Sequence, residues 1–234
     1  GTTDEISAKG IKATGSLTVA GGTLTIDSSD DALHANGTIA ISGGTIQIAS
    51  GDDGIHADSS IAITAGTINI TQCYEGIESA GITIDGGDIS LVASDDGINI
   101  AGGSDSSSVN GRPGQNTIST SGSNLLAING GNIIVDAAGD GFDINGSITM
   151  TAGSVIINGP TDNGNGPLDY DGTFDISGGF LIAAGSSGMA LAPSTSSSQN
   201  SIMLGFTSAM NAGTIIHIQS QSGEDLMTFS PTKN

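Results

Sequence analysis

Apolar residues alternate with polar ones in short runs along the whole chain, and the runs flank Gly-Gly or Ala-Gly steps. Before each step come Leu17/Val19, Ile39/Ile41, Ile61/Ile63, Ile82/Ile84, Leu126/Ile128, Ile148/Met150 and Phe174/Ile176. After it come Leu24/Ile26, Ile46/Ile48, Ile68/Ile70, Ile89/Leu91, Ile133/Val135, Val155/Ile157 and Phe180/Ile182. The steps begin at Gly21, Gly43, Ala65, Gly86, Gly130, Ala152 and Gly178, so their spacings are 22, 22, 21, 44, 22 and 26 residues. Period-two alternation of mostly β-branched residues predicts strands with one face turned inward. A third apolar point per period, at Ile11, Leu33, Ile55, Ile77, Ile98, Phe142, Leu168 and Met189, predicts one more short strand. Three short strands in about 22 residues describe one coil of a parallel β-helix, an all-β solenoid whose coils bury their apolar residues only by stacking. About eight coils are expected, and at a strand spacing of about 4.8 Å they would make a rod roughly 38 Å long.

The whole chain, 1–234, therefore reads as a single solenoid domain with two departures from the period. Residues 102–124, rich in Ser, Gly and Asn, lack the paired apolar runs and are expected to be a loop inserted at one corner. Residues 194–234 follow a Ser-rich link and carry Ile202-Met203-Leu204, Ile215 to Ile218 and Leu226 to Phe229, with Gly223 at a hairpin turn. They are expected to be C-terminal capping strands over the last coil.

Composition fits a coil with tight corners: 38 of 234 residues are Gly, aromatics make up 3% and Trp is absent. The glycines mark corners where a sharp bend or a positive φ makes a Cβ costly. Charge is lopsided, with 24 acidic residues against 4 basic ones and a formal net charge of −20. Phosphate binding needs clustered Lys and Arg, so no nucleic acid and no anionic membrane is expected as a partner, whereas cations fit. No apolar run is long enough to insert in a membrane, and the first residues show neither a basic nor an apolar leader region. A mature form, extracellular or attached to a cell surface, is the expectation. Cys73 is the single cysteine, so no internal disulfide forms, and no catalytic His constellation accompanies it.

The chemistry lies just before the third strand of each coil. Asp30-Asp31-Ala32-Leu33-His34, Asp52-Asp53-Gly54-Ile55-His56, Tyr74-Glu75-Gly76-Ile77-Glu78, Asp95-Asp96-Gly97-Ile98-Asn99 and Gly139-Asp140-Gly141-Phe142-Asp143 align in register, and Asp169 continues the last position. Stacking should line these acids up along one edge. One reading is turn chemistry, in which Asp caps a turn and Gly takes the left-handed conformation. Stacked layers weigh against it, because carboxylates about 4.8 Å apart repel by roughly 3.5 kcal/mol per pair at an effective dielectric near 20. Of the basic residues Lys9, Lys12, Arg112 and Lys233, only Lys12 is expected to join the column. A bound metal is the remaining compensation. Asp30, Asp31, Asp52, Asp53, Glu75, Glu78, Asp95, Asp96, Asn99, Asp140, Asp143 and Asp169 are the candidate ligands, an oxygen set suited to Ca²⁺. His34 and His56 raise zinc as an alternative, although stacked imidazoles can instead hydrogen-bond across coils.

The repeated Asp-Asp-Gly-Ile-His-Ala, the Gly-Gly-Thr-Ile steps and the run Leu226-Met227-Thr228-Phe229-Ser230-Pro231 together resemble a bacterial family of secreted carbohydrate-binding domain-containing proteins, clostridial in type. The resemblance implies a right-handed β-helix that carries calcium and binds plant cell-wall polysaccharide, acidic pectin included. It also implies further capping strands, so that the chain is short at its C-terminus. In fold the chain is similar to the family 9 pectate lyases, whose aspartates hold calcium while a lysine abstracts a proton. Asp52, Asp53 and His56, and Asp95, Asp96 and Asn99, match that acidic pattern except at its last position. No in-register Lys or Arg stands beside these acids, and Arg112 in the inserted loop is the one basic group that could approach.

The expected function is non-catalytic, calcium-dependent binding of polygalacturonate, with cellulose as the neutral candidate. Calcium along the column would leave coordination positions for uronate carboxylates and so bridge two acidic polymers. Tyr74, Tyr170, Asp171 and Arg112 are the candidate carbohydrate contacts, the tyrosines alternatively serving as corner fillers. A pectate lyase, or a calcium-stiffened structural or adhesin segment, are the other readings.

Overall fold

A computed structural model describes residues 8–101 and 124–234 and contains no helix among them. The expected corner loop, with Arg112, lies outside the described residues but for Asn124. Seven three-residue strands form one parallel sheet: β1 (Ile11–Ala13), β3 (Leu33–Ala35), β5 (Ile55–Ala57), β7 (Ile77–Ser79), β10 (Ile98–Ile100), β13 (Phe142–Ile144) and β16 (Leu168–Tyr170). They stack in the order in which the coils follow one another. A second sheet of eleven strands carries the rest of each coil. Three of them, β2 (Leu17–Ser28), β4 (Thr38–Ser50) and β6 (Ser60–Gln72), run unbroken through the bend where two separate strands were expected. Beyond β6 the sheet divides into two arms. One holds β8 (Gly81–Ile84), β11 (Leu125–Ile128), β14 (Ser147–Met150) and β17 (Phe174–Ile176). The other holds β9 (Asp88–Ala93), β12 (Asn132–Ala137), β15 (Ser154–Asn158) and β18 (Phe180–Ala184).

The protein is thus a parallel β-solenoid with a period of about 22 residues, held in register by in-line apolar residues. Ile11, Leu33, Ile55, Ile77, Ile98, Phe142 and Leu168 pair one above another. They and the alternating residues of the second sheet fill one continuous core. Burial of these ladders supplies the stacking energy that a lone coil cannot, because each coil's apolar edge is covered by the next.

Two kinds of glycine shape the coil, for different reasons. The second Gly of each step, from Gly22 to Gly179, has φ between +84° and +114°, a left-handed bend that a Cβ would strain. The Asp-Asp-Gly glycines are not of this kind. A Cβ on Gly54 would lie 2.7 Å from the Gly76 carbonyl oxygen, and one on Gly97 would lie 2.5 Å from that of Gly141. Close approach of the next coil, not a positive φ, excludes side chains there.

The coil count and the cap differ from expectation. About seven turns are regular among the described residues. Met189 belongs to an irregular eighth, which covers Gly166 and accepts the Tyr170 hydroxyl at Ala192 O, 2.6 Å. Ile202–Leu204 forms no strand, and β19 (Ile216–Gln219) pairs only with β20 (Asp225–Phe229), antiparallel, with Gly223 at φ +83°. The edge of β17 is instead closed by serines. The Phe174 and Ile176 amides donate to Ser194 Oγ (2.8 Å) and Ser197 Oγ (3.0 Å), hydroxyls standing in for the carbonyls of a next strand. This works because a serine oxygen accepts a hydrogen bond without requiring a regular coil behind it.

Candidate functional site

The acidic segments meet along one edge, as the period requires. The ladder Lys12, His34, His56, Glu78, Asn99, Asp143, Asp169 is in direct strand register, one residue per coil. The preceding corner supplies Asp30/Asp31, Asp52/Asp53, Glu75, Asp95/Asp96 and Asp140. Three of these carboxylates do structural work, each accepting a backbone N–H from the following coil. Asp31 takes that of Asp53 (3.3 Å), Asp96 that of Asp140 (2.6 Å) and Asp140 that of Gly166 (2.5 Å). The turn reading of these residues therefore has substance: these three bonds run between coils, and within the first corner Asp30 Oδ1 accepts the Asp31 N–H at 3.0 Å.

The two halves of the edge differ in how charge is balanced. In the N-terminal half, Lys9 rather than Lys12 carries the main contact. Its ammonium, almost wholly buried, bonds Asp30 at 3.0 Å and Asp31. Lys9 lies 22 residues, one period, before Asp31, so the spacing alone places the two side by side. His34 Nδ1 lies 2.7 Å from Asp31, and the two imidazoles stack at 5.0 Å. His56 Nδ1 stands between Asp53 (2.9 Å) and Glu78 (3.1 Å), while its Nε2 faces Asp58 at 3.5 Å. Asp58, two residues past His56, is a participant that the column pattern did not include. Burial opposes the charged imidazole, yet the carboxylates of Asp53, Asp58 and Glu78 around it hold the His56 pKa well above its ordinary value. Burial would also raise Asp31, but the bond from His34 and the charges of His56 and Lys9 outweigh it and hold it down at about 2. Asp53 and Glu78 are pushed up by burial against the pull of His56. The expectation that this column lacks basic partners is corrected for its first three layers.

The C-terminal half has no such partner among the described residues. Glu75, Asp95 and Asp96 bring carboxylate oxygens within 4.8 Å of one another, as do Asp96, Asp140 and Asp143. Burial, then the neighbouring Asp95 and Asp143, push Asp96 up to about 8; burial, then Asp140 and Asp169, push Asp143 up to about 6. Burial and the charge of Asp53 hold Glu75 well above the usual carboxylate range. Each shift favours the protonated form, as burial beside like charges dictates.

Two observations test whether a cation fits. Asn99 is 3% exposed; its Nδ2 donates to Glu75 Oε2 at 2.8 Å, and its Oδ1 has no hydrogen-bond partner. Gly139 leaves a cradle. A Cβ there would meet Asp95 Oδ1 at 2.5 Å and Asp96 Oδ1 closer still, so both oxygens converge where a side chain is absent. Carboxylates, an amide oxygen and a glycine-lined gap are the donor set of a hard oxygen-loving cation. Asp169 and Asp171 lie farther along the edge and join neither cluster. Asp30, Asp31 and Asp52, Asp31 with His34 and His56, and Asp53 with His56 and Glu78 likewise bring ligand atoms within 4.8 Å of one another, with Lys9 beside the first of these groups.

Of the candidate carbohydrate contacts, Tyr74 is half-exposed beside Glu75, and its hydroxyl bonds Asp95, which raises its pKa. Tyr170 is tied to Ala192 and packs edge-on against Phe174 at 6.0 Å. Asp171 is exposed. Cys73 is buried against the Val92 carbonyl, with its thiol pKa raised by that burial, so it is a poor nucleophile.

Fold and edge together define a parallel β-solenoid with a half-neutralised acidic ladder. Residues 1–54 are similar to the family described as carbohydrate-binding domain-containing protein, a stretch that takes in Asp30, Asp31, His34, Asp52 and Asp53. No curated protein and no solved structure matches the chain.

Proposed function

We propose that the protein is a non-catalytic carbohydrate-binding module that holds calcium at Glu75, Asp95, Asp96, Asn99, Asp140 and Asp143 and, through calcium, binds acidic plant cell-wall polysaccharide such as polygalacturonate. The match over residues 1–54 supports carbohydrate binding in general. The observation that carries the calcium reading is the uncompensated cluster together with Asn99, which bonds Glu75 through Nδ2 and leaves its buried Oδ1 without a partner. Ca²⁺ held by these residues would supply positive charge and, where protein oxygens leave coordination positions open, would accept uronate carboxylates. The protein's own residues fix the carboxylates by inter-coil bonds at Asp96 and Asp140, and Tyr74 offers a half-exposed ring beside them.

Calorimetric titration with calcium, then with polygalacturonate, tests this. Calcium affinity in the micromolar range, glycan binding that disappears in chelator, and loss of both in Asp96→Asn with Asp140→Asn are expected. Glycan binding that persists in chelator would point to cellulose-like, neutral recognition on another face. A second reading is favoured by the bonds from Asp96 and Asp140 to the next coil, which couple any bound cation to the stack: calcium as a stiffener of an adhesin segment. Calcium stabilisation without any glycan binding would select it. A lyase would require a base; Lys9 and Lys12 stand at the opposite end of the edge, and Arg112 lies outside the described residues.

A further inference from the structure

The corner after β12 and β15 holds a second kind of cation site. In this arm each coil passes an amide to the coil before it: Ala138 N donates to Ala93 O at 3.1 Å. Asp136 pairs with Asn158, so continuing the register sets Ala138 beside Pro160. Proline has no N–H, and Ala137 O is deprived of the ladder bond that Ala93 O receives. Lys233 supplies it. Its ammonium donates to Ala137 O at 2.6 Å, to Asn158 O at 3.2 Å and to Gly159 O at 3.3 Å, and pairs with Asp136 Oδ1 at 2.7 Å. The preceding residue adds two bonds on the same spot, Thr232 N to Asn158 Oδ1 (3.0 Å) and Thr232 Oγ1 to Asp136 Oδ2 (3.1 Å).

We propose that Asp136 and the carbonyls of Ala137, Asn158 and Gly159 form a socket for a primary ammonium, opened by Pro160 and filled by Lys233, and that this socket holds the C-terminal hairpin on the solenoid. The chemistry selects an ammonium: three compact donors meet carbonyls from two coils, and one carboxylate matches one charge. A planar guanidinium cannot direct its donors to the same points. Among the described residues, every hydrogen bond or ion pair joining residues 200–234 to the solenoid comes from Thr232 and Lys233. The segment 200–214 between them and the last coil forms no strand. The hairpin is a tethered unit whose polar anchorage is two residues long.

Limited proteolysis of the full chain, read at cleavage sites in 200–214, tests the socket, with the thermal transition of the solenoid measured alongside. Lys233→Met, which keeps the stem and removes the charge, should raise the cleavage rate roughly tenfold to a hundredfold, because hydrogen bonds to a charged group are lost. The solenoid transition should not move. Lys233→Arg should release the tail to an intermediate degree. Pro160→Ala, which restores the missing N–H and takes up Ala137 O, should also speed cleavage. Parental cleavage in Lys233→Met or in Pro160→Ala would overturn the proposal, as would cleavage that rises only in step with a fall in the solenoid transition.

Discussion

With calcium chelated, the protein is expected to be most stable near pH 4 and to lose stability steadily towards pH 8, by roughly 10 °C in Tm. The sign follows from the raised carboxyls. Asp96 titrates at about 8 and Asp143 at about 6 in the fold, against 3.8 for an ordinary Asp. Between those values the folded state keeps protons that the unfolded chain has released, so folding is disfavoured as protons become scarce. His56 adds to the same trend: its folded pKa is raised, so its contribution is complete below its ordinary 6.5 and is lost as pH rises through the folded value. Asp31, held down at about 2, acts the other way, but only between about 2 and 3.8, which places the maximum near pH 4. Calcium should reverse the slope, since it binds deprotonated carboxylates and displaces their protons. Thermal unfolding at pH 4, 6 and 8, with chelator and with millimolar calcium, checks both arms. If the two curves run parallel, no cation is linked to these acids and the calcium reading fails.

The other large effect is steric. Gly97→Ala is expected to cost about 3 kcal/mol or more, and to be readable as a loss of Tm or of urea midpoint with the slope unchanged. The added methyl would press on the Gly141 carbonyl oxygen and on a γ-methyl of Val135, a stiff β-branched side chain in the core. Backbone of the next coil cannot withdraw without breaking its own ladder. Gly22→Ala should cost less, because no atom lies within 4 Å of the added carbon and only its φ of +85° is strained. Equal costs for the two would mean that backbone conformation, not inter-coil approach, fixes the Asp-Asp-Gly glycine.

Much of the architecture is written in the chain. The 22-residue recurrence of Ile, Leu and Phe positions dictates stacked coils, because each apolar edge needs an identical neighbour to cover it, and the same recurrence brings Asp31, Asp53, Glu75, Asp96 and Asp140 to one edge. Arithmetic on that period also places Lys9 one coil before Asp31. What the period cannot express is where a residue reaches out of register. His56 faces Asp58 at 3.5 Å as well as its coil neighbours, serines from 194 and 197 replace a missing strand over β17, and Lys233 crosses from the far end of the chain to a gap left by Pro160. Those contacts depend on corner backbone directions and side-chain reach. The repeat and the acidic edge are thus legible in the order of residues. The tertiary structure decided which acids carry their own cations and which do not, because charge compensation is set by distances of a few ångströms between coils and not by the count of charges in the chain.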